Sequence, residues 1–393
     1  MDVRCADPYI LFDKESNTFY CYGTSNISKN KKTFYIYKSK DLINWEFIDY
    51  ALDLSINNWG KDWYWAPEVY YNEKTKRYFM FYSARMKDEY LKKYFADSNY
   101  EEGCKIGVAT SLSPCGPFIN VSNLPLDYYP FDESIVDIVP KLKNKMDGHI
   151  DKLSYKSCKK GYYLSMIDPN VFFDDDGRIY LYFSRCCYRN RTFDSKLNKF
   201  IEESNILMVE LDDERFNDLN GKMMPKIKEN YLKLENNVRK DRFNLIISYH
   251  KDPQDWENGH INDFTIYKGK KKDRRRSEGS TTFYKYTNYK KEYFITYSCN
   301  NFENELYGVG IAKSNSPFGL FKKDINNPII HENINENLYS TGHGSILELN
   351  GKYYYLFHGR CSLNSERILY CGELEFVDDS FRLKKYTKCN LID

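Results

Sequence analysis

The chain has 393 residues and a formal net charge of +2, and that near-neutrality argues against a general polyanion or nucleic-acid binder. Aromatic residues make up 17%, with 37 Tyr, which tilts the expectation towards β structure, and no apolar run approaches the ~20 residues of a membrane-spanning helix. The 11 Cys are odd in number and include no Cys-x-x-Cys pair, so a zinc ribbon is excluded and reduced, partly buried thiols are expected.

In chain order, one unit recurs five times. A polar residue heads an apolar run, a turn follows, and an aromatic run ends in a small or polar residue. The units are residues 7–12 with 19–24, 68–71 with 78–83, 168–173 with 179–184, 278–283 with 293–298, and 343–347 with 353–358. Asp176-Gly177 and Asn350-Gly351 between such runs are hairpin signals. Nearly continuous apolar runs imply strands covered on both faces. A third strand is expected at 34–37, 106–109 and 309–312. After it, Ser-x-Ser-Pro-x-Gly-x-Phe at 111–118 and again at 314–321 marks a turn into a fourth. Five units of about four strands make an all-β, five-bladed β-propeller. It is taken as one catalytic domain over 1–393, with long polar insertions near 86–103, 122–166 and 186–277. The basic run at 270–276 reads as a solvated loop or as a contact to an acidic sugar. The start of the chain shows no apolar h-region, so the expected location is cytoplasmic, or extracellular if a signal peptide has been removed. The sequons at Asn26, Asn120 and Asn190 are frequent enough by chance in an Asn-rich chain.

The inner strand of each propeller blade lines the central axis, so the residues heading the units are expected to meet at one mouth. They are Asp7, Glu68, Asp168, Glu278 and His343. Converging carboxyl groups shift one another's proton affinities, which acid/base chemistry requires. For Asp7 and Asp168, each followed by Pro, the alternative is a turn former. Glu68 is open to a structural or a supporting role. His343 is either a satisfied core histidine or a residue that holds a water-coordinated cation. Trp63, Tyr64 and Trp65 either stack on a sugar ring or pack in the core.

Ala6-Asp7-Pro8, Trp65-Ala66-Pro67-Glu68, Ile167-Asp168-Pro169-Asn170, Ser277-Glu278-Gly279 and Gly342-His343-Gly344 follow one another in the order seen in glycoside hydrolase family 43, which the chain resembles from residue 6 to about 376. The resemblance implies inverting hydrolysis of arabinofuranosides, xylosides or related glycans. It implies Asp7 as general base, Glu278 as general acid and Asp168 as the carboxylate that orients Glu278. Arg360 falls where the family often has an arginine that contacts the sugar, and Trp65 and Glu68 are further candidate substrate contacts by their place beside the second inner strand. His343 would stand by a structural Ca2+ or Na+ on the axis, with no cofactor required for chemistry. One departure is Ser280, where the family often has proline. The two carboxyl groups of an inverting enzyme stand roughly 6.5–9.5 Å apart to admit water.

The expected activity is therefore removal of terminal α-L-arabinofuranosyl or β-D-xylosyl residues from plant-type oligo- or polysaccharides, exo-acting because long insertions would wall off one end of the cleft. Endo-arabinanase activity, a non-catalytic carbohydrate-binding propeller and a protein-interaction propeller are the alternatives. No nucleic-acid or membrane partner is expected, and the sequence leaves the oligomeric state open.

Overall fold

The apolar runs form strands buried on both faces because five small sheets stand side by side around an axis. The structure, a computed structural model, describes residues 1–25, 31–95, 103–126, 165–185, 191–194, 199–228, 234–235, 238–239, 244–249, 251–258, 273–319 and 321–392. The first blade is Ala6–Asp13, Thr18–Thr24, Lys32–Ser39 and Asn44–Asp53. The second is Gly60–Asn72, Arg77–Met86, Cys104–Ser111 and Phe118–Asn120. The third is Met166–Phe173, Ile179–Arg185, Asn205–Leu211 and Asn244–Ile247; its last two strands lie inside the polar stretch 186–277, which therefore carries blade as well as insertion. The fourth is Ser277–Thr287, Lys290–Cys299, Gly308–Ser314 and Lys322–Lys323, and the fifth is Tyr339–Leu349, Lys352–Arg360, Ile368–Val377 and Ser380–Lys388. The chain is thus a five-bladed β-propeller. Lys270–272 of the basic run and the sequons at Asn26 and Asn190 lie outside the described residues. Asn120 is buried and accepts a hydrogen bond from the Tyr82 hydroxyl at 2.6 Å, so that sequon is core.

Alternation along each strand feeds two interblade cores at once. In Arg77–Met86, Tyr78, Met80 and Tyr82 pack with Phe34 and Ile36 of the first blade, while Phe79 and Phe81 pack with Leu181 and Val209 of the third. Similar clusters fill the remaining gaps, and the last joins Trp45 and Ile10 of the first blade to Leu356 and Leu369 of the fifth. The ends of the chain latch this seam. Asn390–Ile392 pairs parallel with Asn44–Glu46, and the Arg4 backbone bridges to Ile368.

Each inner strand carries a one-residue β-bulge at its head. Register steps by three residues on the inner strand against two on its partner between Ala6 and Tyr9, Trp65 and Glu68, Ile167 and Asn170, Glu278 and Thr281, and Gly342 and Ser345. A residue at positive φ follows the first of each pair: Asp7 (50°), Ala66 (49°), Asp168 (51°), Gly279 (57°) and His343 (35°). These five are the true equivalents. The expectation that Asp7, Glu68, Asp168, Glu278 and His343 share one position is corrected accordingly. Glu278 stands one residue before its bulge and Glu68 two residues after its own, because the extra residue shifts the pleat.

A bulge frees a backbone N–H from its ladder, and buried N–H groups need partners. In four blades a residue at or near the end of the neighbouring blade's second strand supplies one. Asp7 N donates to His358 Nδ1 at 3.1 Å, Ala66 N to Thr24 Oγ1 at 2.8 Å, Gly279 N to Ser184 Oγ at 3.1 Å and His343 N to Ser298 Oγ at 2.8 Å. The small or polar end of four of the five aromatic runs thereby acquires its reason, while Ser83 donates to the Trp65 carbonyl of its own blade. Ser298→Ala leaves the His343 N–H buried and unpaired; the expected loss is about 1–3 kcal/mol of stability, read from the midpoint of urea unfolding.

Candidate active site

Asp7 stands at the mouth on the first inner strand. The Thr24 hydroxyl donates to its Oδ2 at 2.7 Å, and Arg367 Nη1 donates to its Oδ1 at 3.0 Å. His343 Nδ1 is 3.3 Å from the same Oδ1. Burial opposes ionisation, but Arg367 and His343 outweigh it and hold Asp7 well below the usual carboxylate range. Asp7 is therefore a carboxylate.

Asp168 meets the opposite condition. Burial drives its pKa up to about 6; His343 opposes the rise, and the neighbouring Glu278 and Asp7 charges add to it. Its Oδ2 accepts from Gly279 N at 3.2 Å, which ties it to the backbone immediately after Glu278. The Tyr307 hydroxyl donates to Glu278 Oε1 at 3.0 Å. Tyr307 is buried and its ring stacks on His358, 5.8 Å between centroids. The neighbouring glycines permit this packing. A Cβ on Gly279, which also has positive φ, would lie 2.6 Å from the His343 ring, and one on Gly342 would lie 2.0 Å from the Tyr307 ring.

His343 is the axial cation. Burial disfavours its charge, yet Asp7 and Asp168 push its pKa up to about 9. His358, by contrast, accepts from the Asp7 N–H, and burial together with Arg367 keeps it neutral. Glu68 lies further along the channel, where the Tyr70 hydroxyl and Asn170 Nδ2, the latter at 3.0 Å, donate to its Oε2. Burial raises its pKa to about 8 despite these bonds.

The structure thus brings together Asp7, Asp168, Glu278 and His343, with Glu68 behind them. Trp65 occupies on the second blade the register position of Glu278 on the fourth, at the rim. Arg360 turns away, its Nη1 donating to the Ser365 carbonyl, and the arginine that reaches Asp7 is Arg367. Sequence reasoning did not single out Tyr307, Arg367, Thr24, Ser184, Ser298 or His358. Four of these end the aromatic runs, a visible signal; Tyr307 and Arg367 sit beside loops and carry none. Among the described residues, no three His, Cys, Asp or Glu are arranged to ligate a metal directly.

A glutamate whose folded pKa is raised gives stability that is fully present below its unfolded value near 4.5 and is lost as pH rises through about 8. Glu68→Gln removes that titration. Its urea midpoint is expected to fall less steeply than wild type between pH 4.5 and 8, the difference approaching ~1.4 kcal/mol per pH unit.

The family model described as Glycosyl hydrolases family 43 matches residues 1–138. Among solved structures, a thermostable family-43 glycoside hydrolase is 25% identical, with a TM-score of 0.65 over 99% of this chain and 95% of that one. An endo-1,4-β-xylanase from Bacteroides thetaiotaomicron is also 25% identical, with a TM-score of 0.65 over 100% of this chain and 98% of that one. An α-L-arabinanase from Cellvibrio cellulosa, complexed with arabinohexaose, shares the fold at 14% identity, TM-score 0.56, over 98% and 96% of the two chains. Among curated proteins, none matches the sequence.

Proposed function

We propose that this chain, a glycoside hydrolase of family 43, removes terminal α-L-arabinofuranosyl or β-D-xylosyl residues from plant-type glycans with inversion. The observation that carries the proposal is the split in proton affinity at one mouth: Asp7 held ionised by Arg367 and His343, and Asp168 raised to about 6 beside Glu278. In this reading Asp7 takes a proton from water as the water oxygen attacks the anomeric carbon. The bond from that carbon to the glycosidic oxygen breaks, and Glu278 delivers its proton to the departing oxygen. Tyr307 donates to Oε1 of Glu278 and fixes its carboxyl group, and Oε2 is the oxygen that serves the departing group in this reading. Asp168 steadies the Gly279 backbone behind it. Trp65 gives the sugar ring an apolar wall, and Arg360 is kept as a substrate contact that would turn from Ser365 once sugar is bound. The expected axial Ca2+ or Na+ does not fit His343 as it stands here, because a protonated imidazole beside Asp7 has no lone pair to offer a metal and Glu68 keeps its proton up to about 8; no step runs through such an ion.

Endo cleavage is the second reading, favoured by the endo-1,4-β-xylanase among the similar structures. Release of 4-nitrophenol from the α-L-arabinofuranoside and the β-D-xyloside, set beside hydrolysis of the matching oligosaccharides, separates the two. Asp7→Ala and Glu278→Ala are each expected to lose roughly 10²–10⁴-fold on oligosaccharides. Proton NMR is expected to show the released sugar first as the inverted anomer. Undiminished oligosaccharide hydrolysis by Glu278→Ala refutes the acid assignment, and an inert wild type favours a carbohydrate-binding propeller.

Arg367→Ala removes a cation from Asp7, so Asp7 takes up its proton at a higher pH. The acid limb of the kcat/KM profile is expected to move to higher pH, with the alkaline limb in place.

A further inference from the structure

The strand Gly60–Asn72 is unusually distorted where it approaches the mouth. Its register shifts three times before Glu68, and Trp63 sits at φ +54°, a conformation that bulky residues rarely adopt. Such backbone persists only where its surroundings hold it, and it concentrates at functional sites. Here a three-layer stack holds it. Trp63 and Trp65 lie nearly parallel, 5.1 Å between ring centroids and 10° between planes. Arg85 Cζ sits 4.3 Å from the centre of the Trp63 ring. Asp62 grips Arg85 with both oxygens, Nε donating to Oδ1 at 2.6 Å and Nη2 to Oδ2. Trp63 is therefore sandwiched, and the stack presents Trp65 as its end member. Both tryptophans stay half-buried, unlike Trp45 and Trp59, which are fully buried in the interblade cores. Trp65 stands at the rim in the register position of Glu278, across the axis from it.

We propose that Arg85, anchored by Asp62, is a positioning residue that fixes the Trp63–Trp65 stack as the wall against which the sugar ring lies. The inference rests on the glycosidase reading for its substrate. A sugar ring meets an aromatic face through its C–H groups, and a wall already rigid in the free enzyme spares the cost of ordering it on binding. The wall is in contact with the sugar in both ground and transition states, so loosening it acts on KM rather than kcat.

The experiment compares wild type, Arg85→Ala, Arg85→Lys and Asp62→Asn. Acrylamide quenching of tryptophan fluorescence reads the stack when every variant is made in a Trp256→Phe background, since Trp256 is the one other half-buried tryptophan and Trp45 and Trp59 are shielded. Steady-state kinetics on the 4-nitrophenyl glycosides reads its use. Arg85→Ala is expected to quench more readily and to raise KM roughly 3–10-fold with kcat within about two-fold of wild type. Lysine, which keeps a cation over the ring, is expected to restore part of both. Unchanged quenching in Arg85→Ala, or a fall in kcat with KM unaltered, overturns the proposal. If wild type hydrolyses neither these glycosides nor the matching oligosaccharides, the glycosidase reading is what fails, and the quenching comparison alone then decides for or against the clamp.

Discussion

The captured N–H at the head of each inner strand is the constraint on which the site depends. A bulge turns one residue per blade towards the axis and leaves its amide without a ladder partner. Burial forbids leaving that amide unpaired, and in four blades the next blade's second strand answers it with His358, Thr24, Ser184 or Ser298. The bond serves two purposes. It fixes neighbouring blades in register around the ring, and it fixes the backbone of Asp7, Gly279 and His343 to within hydrogen-bond tolerance. Packing of aromatic faces could hold the blades together alone, but it is less directional and would allow sliding that these bonds prevent.

With the backbone set, charge does the sorting. Four carboxyl groups in low dielectric cannot all be ionised without compensation. Among the described residues Arg367 and His343 supply it at the mouth, and both stand closest to Asp7, at 3.0 and 3.3 Å. Asp168 and Glu68 receive less and keep their protons to higher pH, near 6 and 8. Proton affinity at this mouth is thus a matter of which acid stands nearest the two cations. That in turn follows from the bulge stagger, which brings Glu278 one residue forward and sets Glu68 two residues back.

The blade count and the acids were readable because strand pairs with Asp-Gly or Asn-Gly turns repeat, and because the heads of the units are charged. The stagger was not readable. A bulge inserts a residue without any fixed residue type: Asp-Pro in two blades, then Ala-Pro, Gly-Ser and His-Gly. Aligning by acidic residues therefore matched Glu68 and Glu278 to the wrong partners. The third blade's outer strands escaped notice because Asn205–Leu211 and Asn244–Ile247 stand apart within a polar stretch, without a paired turn signal. Arg360 was singled out through its neighbours His358 and Gly359, whereas Arg367 reaches Asp7 from the head of the following strand, which only the folded sheet reveals. Tyr307 reaches Glu278 from before the fourth blade's third strand in the same way.

The seam between the first and fifth blades also has a meaning in time. Asp7 leaves the ribosome long before its two cations, since His343 and Arg367 lie far downstream of it in the chain. Until the fifth blade is made the aspartate has neither of the cations that fix its charge, and Cys5 N has yet to find the Arg367 carbonyl that it bonds in the folded propeller. The ring cannot close, nor the mouth acquire its charge balance, before the fifth blade arrives. Closure of the ring and the fixing of the charge on Asp7 are a single event, and a product of translation that stops before His343 carries the first blade's acid without its counterions.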